Sequence, residues 1–377
     1  MWLIIFILPM DIINFFVFHS DINLKWQVFI FIIKNNRGNQ NICYLCAIFQ
    51  RGMKRFYFLC LTLVSFFSCL GQANYTEEFA VKDTNHLFLD VYMPSLHATD
   101  STYPCLIYVF GGGFMEGKRN DSVSVKAFEQ LSEKGYVVVA IDYRLGLKGI
   151  HKMGASHVKT LEHAIRIAVE DLYSATNYVY KNASRFHIKP NKIIISGVSA
   201  GAITVLQADY WLHNRHETAQ LLPENFRFAG VVSLSGAILS RNGKVKYTYG
   251  QPAPTLFYHG DADRLVTYNQ IAFANLGFFG SNKLVERFKK FNYPYRIKRM
   301  KNFGHEVASM FPKMLDEIDD FYHHWILLEK KYQVDESWYD ASYQPIMLWR
   351  MSPSDLYKKK KKTSKIKRII KIAKIKN

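Results

Sequence analysis

A chain of 377 residues that is 49% hydrophobic and 15% aromatic has enough apolar material for a substantial core, which excludes general disorder. Its formal net charge is +18, but residues 358–377 hold ten Lys and one Arg without an acid, so the rest of the chain carries only 18 − 11 = +7. A nucleic-acid-binding domain, which lines a structured face with basic residues, is therefore not expected, and residues 351–377 read as a solvated basic tail.

In chain order, residues 1–52 come first. They are rich in Ile, Phe and Asn, with apolar runs broken by Pro9, Asp11, His19 and Asp21 before any reaches bilayer length. This segment reads as spurious upstream sequence or disorder, with Met53 as the true start. Met53-Lys54-Arg55, the apolar run 56–70 and the small residues of Gly71-Gln72-Ala73 have the form of a secretory signal peptide, so residues 53–73 are expected to be cleaved and the mature chain to be secreted or periplasmic. A membrane anchor, or a lipid anchor at Cys69, is the lesser alternative; Phe66-Phe67-Ser68 matches a lipoprotein signal poorly. Four of the five cysteines precede Asn74, which leaves Cys105 alone in the body of the chain and excludes an internal disulfide there. Cys43 and Cys46 have neither a second pair nor a nearby His, so they imply no zinc or redox chemistry.

From residue 74 to 350 a single domain is expected. Strands are predicted at 87–92, 105–109 and 136–141, the last a continuous apolar run of the kind a doubly covered parallel sheet buries. The first of two chemical motifs follows the second strand: Phe110-Gly111-Gly112-Gly113-Phe114. Three successive glycines let backbone N–H groups crowd around a developing oxyanion, and no G-K-[ST] follows that would make this a phosphate loop. Residues 160–181 have helical periodicity, with Leu161, Ile165, Ala168, Leu172 and Ala175 on one face. A strand at 193–195 then leads into Gly197-Val198-Ser199-Ala200-Gly201 and a helix-compatible run. This G-x-S-x-G spacing in a strand-turn-helix context lifts a serine oxygen clear of the backbone. Strands at 229–234, 255–258 and 295–300, a helix at 283–291, and a closing helix through Phe311, Met314, Ile318, Phe321 and Trp325 complete the β-α alternation.

On these motifs the chain resembles the carboxylesterase and hormone-sensitive-lipase-like branch of the α/β-hydrolase superfamily over residues 87–325. Further matching residues are Asp142-Tyr143-Arg144-Leu145, Pro190-Asn191-Lys192-Ile193, the segment His259-Gly260-Asp261-Ala262-Asp263-Arg264-Leu265-Val266, similar to H-G-x-x-D-x-x-V, and Gly304-His305-Glu306. The resemblance implies an α/β-hydrolase fold with a mostly parallel central sheet, flanking helices and no large cap. It implies cleavage of carboxylic esters by Ser199 as nucleophile, His305 as base and Asp263 as acid, with an oxyanion hole of Gly112, Gly113 and Ala200, and no metal or cofactor. Asp261 stays open as the alternative acid. His259 is read as a structural hydrogen-bonding residue, and Asp142 and Arg144 as braces of the sheet edge. The chain departs from the family at Phe110, where His is common, which makes the surroundings of the glycine loop more apolar.

Between 202 and 254 there is room for a helix, a strand and a short connection but hardly for a large inserted cap, which implies an open pocket, with segments 146–158 and 273–279 as walls. That suits short-acyl, acetyl or aryl esters, free or carried on carbohydrate. Two other readings stay open: a serine peptidase of the prolyl-oligopeptidase type, and a catalytically silent binding module on the same scaffold. The Ile residues among the lysines of the tail leave weak contact with an anionic membrane surface as a lesser reading.

Overall fold

The structure is a computed structural model that describes residues 14–19, 28–34, 40–45, 74–94, 102–150, 157–345 and 352. The expected signal peptide at 53–73 and all but Ser352 of the tail lie outside these residues. The chain divides into two compact units, Met1–Leu70 and Gly71–Asn377.

The first unit contains strands β1 (Asn14–His19), β2 (Val28–Lys34) and β3 (Gln40–Leu45), paired antiparallel in that order. Phe, Val and Ile dominate β1 and β2, the residue types that favour strands. These runs are too short to span a membrane as helices, and their β character is what the sequence reading of 1–52 passed over.

The second unit is built on a nine-stranded sheet. Its strands are β4 (Tyr75–Lys82), β5 (Asn85–Tyr92), β6 (Tyr103–Val109), β7 (Val137–Ile141), β8 (Ile188–Val198), β9 (Gly230–Leu234), β11 (Thr255–Gly260), β14 (Tyr295–Met300) and β15 (Gln333–Trp338). Across the sheet they run β4-β5-β7-β6-β8-β9-β11-β14-β15. From β7 to β15 every pair is parallel, while β5 is antiparallel to both β4 and β7. The exchange of β6 and β7 and the antiparallel second strand are the order of the α/β-hydrolase fold.

Parallel strands require crossovers, and helices supply them: α1 (Ser122–Glu133), α2 (Val158–Lys181), α3 (Ala200–Leu212), α4 (Ser281–Lys290) and α5 (Leu315–Phe321). Helix α1 starts where the Asp121 side chain accepts the N–H groups of Val123 and Ser124. Helix α2 buries Ala164, Ile165, Ala168, Leu172, Ala175 and Val179, recurring at three- and four-residue steps, against the sheet. Helix α3 is buried almost all round, which suits its apolar composition and its place directly after Ser199. The interior strand β7, Val-Val-Val-Ala-Ile, is buried at every position.

Strand β4 and helix α1 were not expected from the sequence, and three further regions differ from the expectation. The last strand is β15 rather than β14, because Gln-Val-Asp-Glu-Ser-Trp is a polar edge that carries no apolar run. The expected closing helix is broken into 3-10 turns around Pro312, the short α5 and a π-helical turn, Tyr322–Leu327. A second small sheet is formed by β10 (Ala237–Ser240), from the connection after α3, with β13 (Leu276–Gly280) and β12 (Gln270–Phe273), from the segment expected as a pocket wall.

Candidate functional site

The nucleophile elbow is set by close approaches that tolerate no side chain. A Cβ on Gly201 would lie 2.0 Å from the Val109 carbonyl oxygen, and one on Gly197 would lie 2.3 Å from Gly201. Between them Ser199 joins β8 to α3 at φ 53° and ψ −117°, a conformation that a non-glycine residue adopts only when its surroundings enforce it. The Ser199 N–H donates to Leu234 O at the end of β9, and Ser199 O accepts from Ile203 N in the first turn of α3. Side-chain size at 197 and 201, strand pairing and helix start therefore agree on one backbone path.

That path places the Ser199 hydroxyl 2.8 Å from Nε2 of His305, which lies in the 3-10 turn after β14. Nδ1 of the same ring donates to Asp263 Oδ2 at 2.7 Å. Asp263 follows β11, and its other oxygen accepts the N–H groups of Leu265 and Val266 at 2.9 and 3.0 Å. His259 also reaches Asp263 Oδ2, at 3.3 Å. Burial works to raise the Asp263 pKa, but the hydrogen bonds from His259 and His305 outweigh it and hold the group at about 2. Three residues that are 42 to 106 positions apart in the chain meet at the C-terminal edge of the sheet. Asp261, the alternative acid, instead accepts the Asn302 N–H and faces Lys301 at 3.5 Å.

The glycine loop abuts the elbow: a Cβ on Gly111 would meet Ser199 Cβ at 3.2 Å. Gly112 has φ +113°, and a side chain there would lie 1.9 Å from Glu116 O, so the turn that aims this loop requires glycine. Gly113 follows at φ +65°. Ala200 is the first residue of α3, and the first amides of a helix have no intrahelical acceptor, so its N–H is available at the nucleophile. Phe110, in the position where the family often has His, stacks on Tyr143 with centroids 4.4 Å apart, and the Tyr143 hydroxyl donates to Phe110 O at 3.0 Å. The loop is thus braced by an aromatic stack and a main-chain hydrogen bond.

The BD-FAE family model matches residues 89–239, a span that includes the glycine loop and the elbow. Cocaine esterase of Oryctolagus cuniculus is 33% identical over 121 residues, 32% of this chain and 21% of that protein. Liver carboxylesterase B-1 of Rattus norvegicus is 32% identical over 122 residues, 32% of this chain and 20% of that protein. Over residues 89–239 the chain is similar to that family, over about a third of its length it is similar to these carboxylesterases, and its strand order is that of the α/β-hydrolase fold. Its matched region spans about a fifth of the length of these two relatives. Among solved structures, a propionate-bound esterase from Thermogutta terrifontis aligns at 19% identity and a TM-score of 0.48, over 69% of this chain and 96% of that one.

Other parts of the chain support the site, among them the two residues expected to brace the sheet edge. Arg144 donates to both oxygens of the fully buried Asp171 and also pairs with Asp83 and Glu170, which ties the loop after β7 to α2. Asp142 accepts from Phe88 N and from Arg119, and Arg119 also pairs with Asp90. Both residues brace the sheet edge. Beyond the expected motifs, Tyr343 stacks on Phe303 at 3.7 Å, and its hydroxyl donates to Glu306, which also accepts the Gly304 N–H. The carboxylate next to His305 was the only sequence signal for this clamp. Of the expected pocket walls, Phe273 is 87% exposed at the end of β12, because the segment forms a hairpin that turns into solvent; Phe279 is buried in the core instead.

Proposed function

We propose that this chain is a serine esterase that cleaves carboxylic esters through an acyl-enzyme on Ser199. One observation carries the reading: His305 contacts the Ser199 hydroxyl at 2.8 Å through one ring nitrogen and the Asp263 carboxylate at 2.7 Å through the other. A carboxylate only accepts, so Nδ1 bears the ring proton and Nε2 is left as the base. The Ser199 oxygen attacks the ester carbonyl while Nε2 takes its proton, and Asp263 stabilises the imidazolium that forms. The carbonyl oxygen becomes an oxyanion held by the amides of Gly112, Gly113 and Ala200. His305 then protonates the departing alcohol, leaving Ser199 acylated. A water activated by the same Nε2 hydrolyses this ester and restores the serine.

Among the described residues, a 3-10 turn at Glu217–Leu221 and the small second sheet are short additions to the main sheet and its helices, too small to form a large cap. This favours short-acyl, acetyl or aryl esters, including those attached to a carbohydrate carrier. The names of the relatives, cocaine esterase and liver carboxylesterase, point to the same reaction class. A signal peptide at 53–73 would deliver the enzyme outside the cytoplasm.

Turnover of p-nitrophenyl esters of graded acyl length, set beside matched p-nitroanilide peptides, tests the proposal. Wild-type protein should hydrolyse the short esters and leave the peptides intact, and Ser199→Ala should lose about 10⁶-fold in kcat. Peptide cleavage at a comparable rate would assign the site to peptidase chemistry instead, and equal ester turnover in Ser199→Ala would remove the serine from the reaction.

A further inference from the structure

We propose that His259 is a positioning residue for the triad acid: it donates a second imidazole N–H to the carboxylate oxygen of Asp263 that also receives the His305 proton, and Ser281 fixes the tautomer that makes this possible. The inference deepens the esterase reading and rests on it. His259 lies in β11, four residues before Asp263, and is fully enclosed. Its Nε2 is 3.1 Å from Val266 O and 3.3 Å from Asp263 Oδ2. Both oxygens can only accept, so the ring proton sits on Nε2 and is shared between them. The Nδ1 lone pair then faces the Ser281 hydroxyl at 2.8 Å, which donates to it. Ser281 is itself fully buried, at the start of α4. Every polar atom of the neutral ring is satisfied in this tautomer, and the other tautomer would turn a lone pair toward two acceptors.

Asp263 thereby has four donors: the amides of Leu265 and Val266 on Oδ1, and the two imidazoles on Oδ2. The amides fix the plane of the carboxylate. His259 limits how much of the negative charge on Oδ2 is directed at His305. The surrounding groups leave this task to His259. Tyr268 packs edge-on against the His259 ring at 5.5 Å, but its hydroxyl is taken by Arg299. Asp261, on the same loop, is held by Asn302 and Lys301. His305 is the remaining titratable group on Asp263 among the described residues.

The sign of the effect follows. Without the His259 donor, Oδ2 carries more negative charge toward His305 and stabilises its imidazolium, so the base needs a higher pH to become free. The acid limb of the kcat/KM profile then moves upward.

The experiment compares His259→Leu, which keeps much of the bulk without a donor, with His259→Gln, whose amide N–H reaches about as far as Nε2, both in the full chain. Leu is expected to raise the acid limb and, because Oδ2 loses one of the two donors that hold it in line with His305, to lower kcat about 10- to 100-fold with little change in KM, the size expected for loss of a hydrogen bond to a charged group. Gln should restore most of the rate and the limb. Equal losses in Leu and Gln, or a wild-type rate and limb in Leu, overturn the proposal. Should His259→Leu fail to fold, Ser281→Ala keeps the ring and removes only its lock; a smaller loss with the same upward limb shift supports the proposal, and an unchanged profile overturns it. The proton NMR resonance of the His305 Nδ1–H reads the bond to Asp263 without turnover. It should shift in His259→Leu and hold in His259→Gln even if no ester were cleaved, which separates failure of this inference from failure of the esterase reading.

Discussion

Ser199 holds a backbone conformation that only tight surroundings sustain, and the price falls on its neighbours: positions 197 and 201 accept no Cβ. Gly201→Ala would drive a methyl group to 2.0 Å from Val109 O, against main chain that cannot yield without opening the β6 pairing. It should lower both stability and ester turnover, checked by the urea midpoint and by kcat on a short-acyl ester. Asp263 gives the residue scale a pH signature. Its pKa falls from 3.8 to about 2 in the folded chain, so the folded state binds fewer protons. The resulting stabilisation is complete above about pH 5 and is lost as pH falls from about 4 toward 2; a shift of this size is worth about 2 kcal/mol. Urea unfolding at pH 6 and pH 3 should show this loss in wild type and show less of it in Asp263→Asn. That Ser199, His305 and Asp263 meet beside the glycine loop was legible in the sequence because each sits in a motif whose backbone demands are local. The roles of Tyr143, Ser281 and Tyr343 were not, since each acts through a partner that only the folded chain brings near.

At the scale of elements, the buried strands and α2 could be read because continuous apolar runs and three- and four-residue periodicity state their environment directly. Strands β4, β12 and β15 could not. They lie at sheet edges, where no position is fully buried and the pattern loses its apolar contrast. Helix α1 was missed although Asp121 caps it, because its serines and charges dilute the apolar face. The joint between β7 and α2 rests on Arg144 and Asp171, a pair that is costly to break from one side. Asp171→Ala would leave a guanidinium of which little is exposed short of its main partner, and should destabilise the chain by about 3 to 5 kcal/mol, read from chemical denaturation. A change below about 1 kcal/mol would place that joint among the weak surface pairs.

For the whole chain, the basic excess and the chemistry separate. The tail at 358–377 accounts for eleven of the eighteen net charges, and the described contacts around the proposed site reach no further along the chain than Tyr343. Removing 358–377 should leave kcat and KM for short esters unchanged. Removing everything after 332 takes away β15, which pairs with β14, and with it Trp338 and Tyr343 against Phe303. That truncation should abolish turnover by freeing the His305 loop, measured on the soluble fraction of each variant. Equal activity in both truncations would detach the C-terminal strand from the site.

The central claim is tested most directly by reacting the full chain with a fluorophosphonate, which is captured only by a serine made nucleophilic, and mapping the adduct by peptide mass spectrometry. A stoichiometric adduct on Ser199 that disappears in His305→Ala is the expected result. An unmodified Ser199 in folded protein, or an adduct that forms equally well without His305, would contradict it.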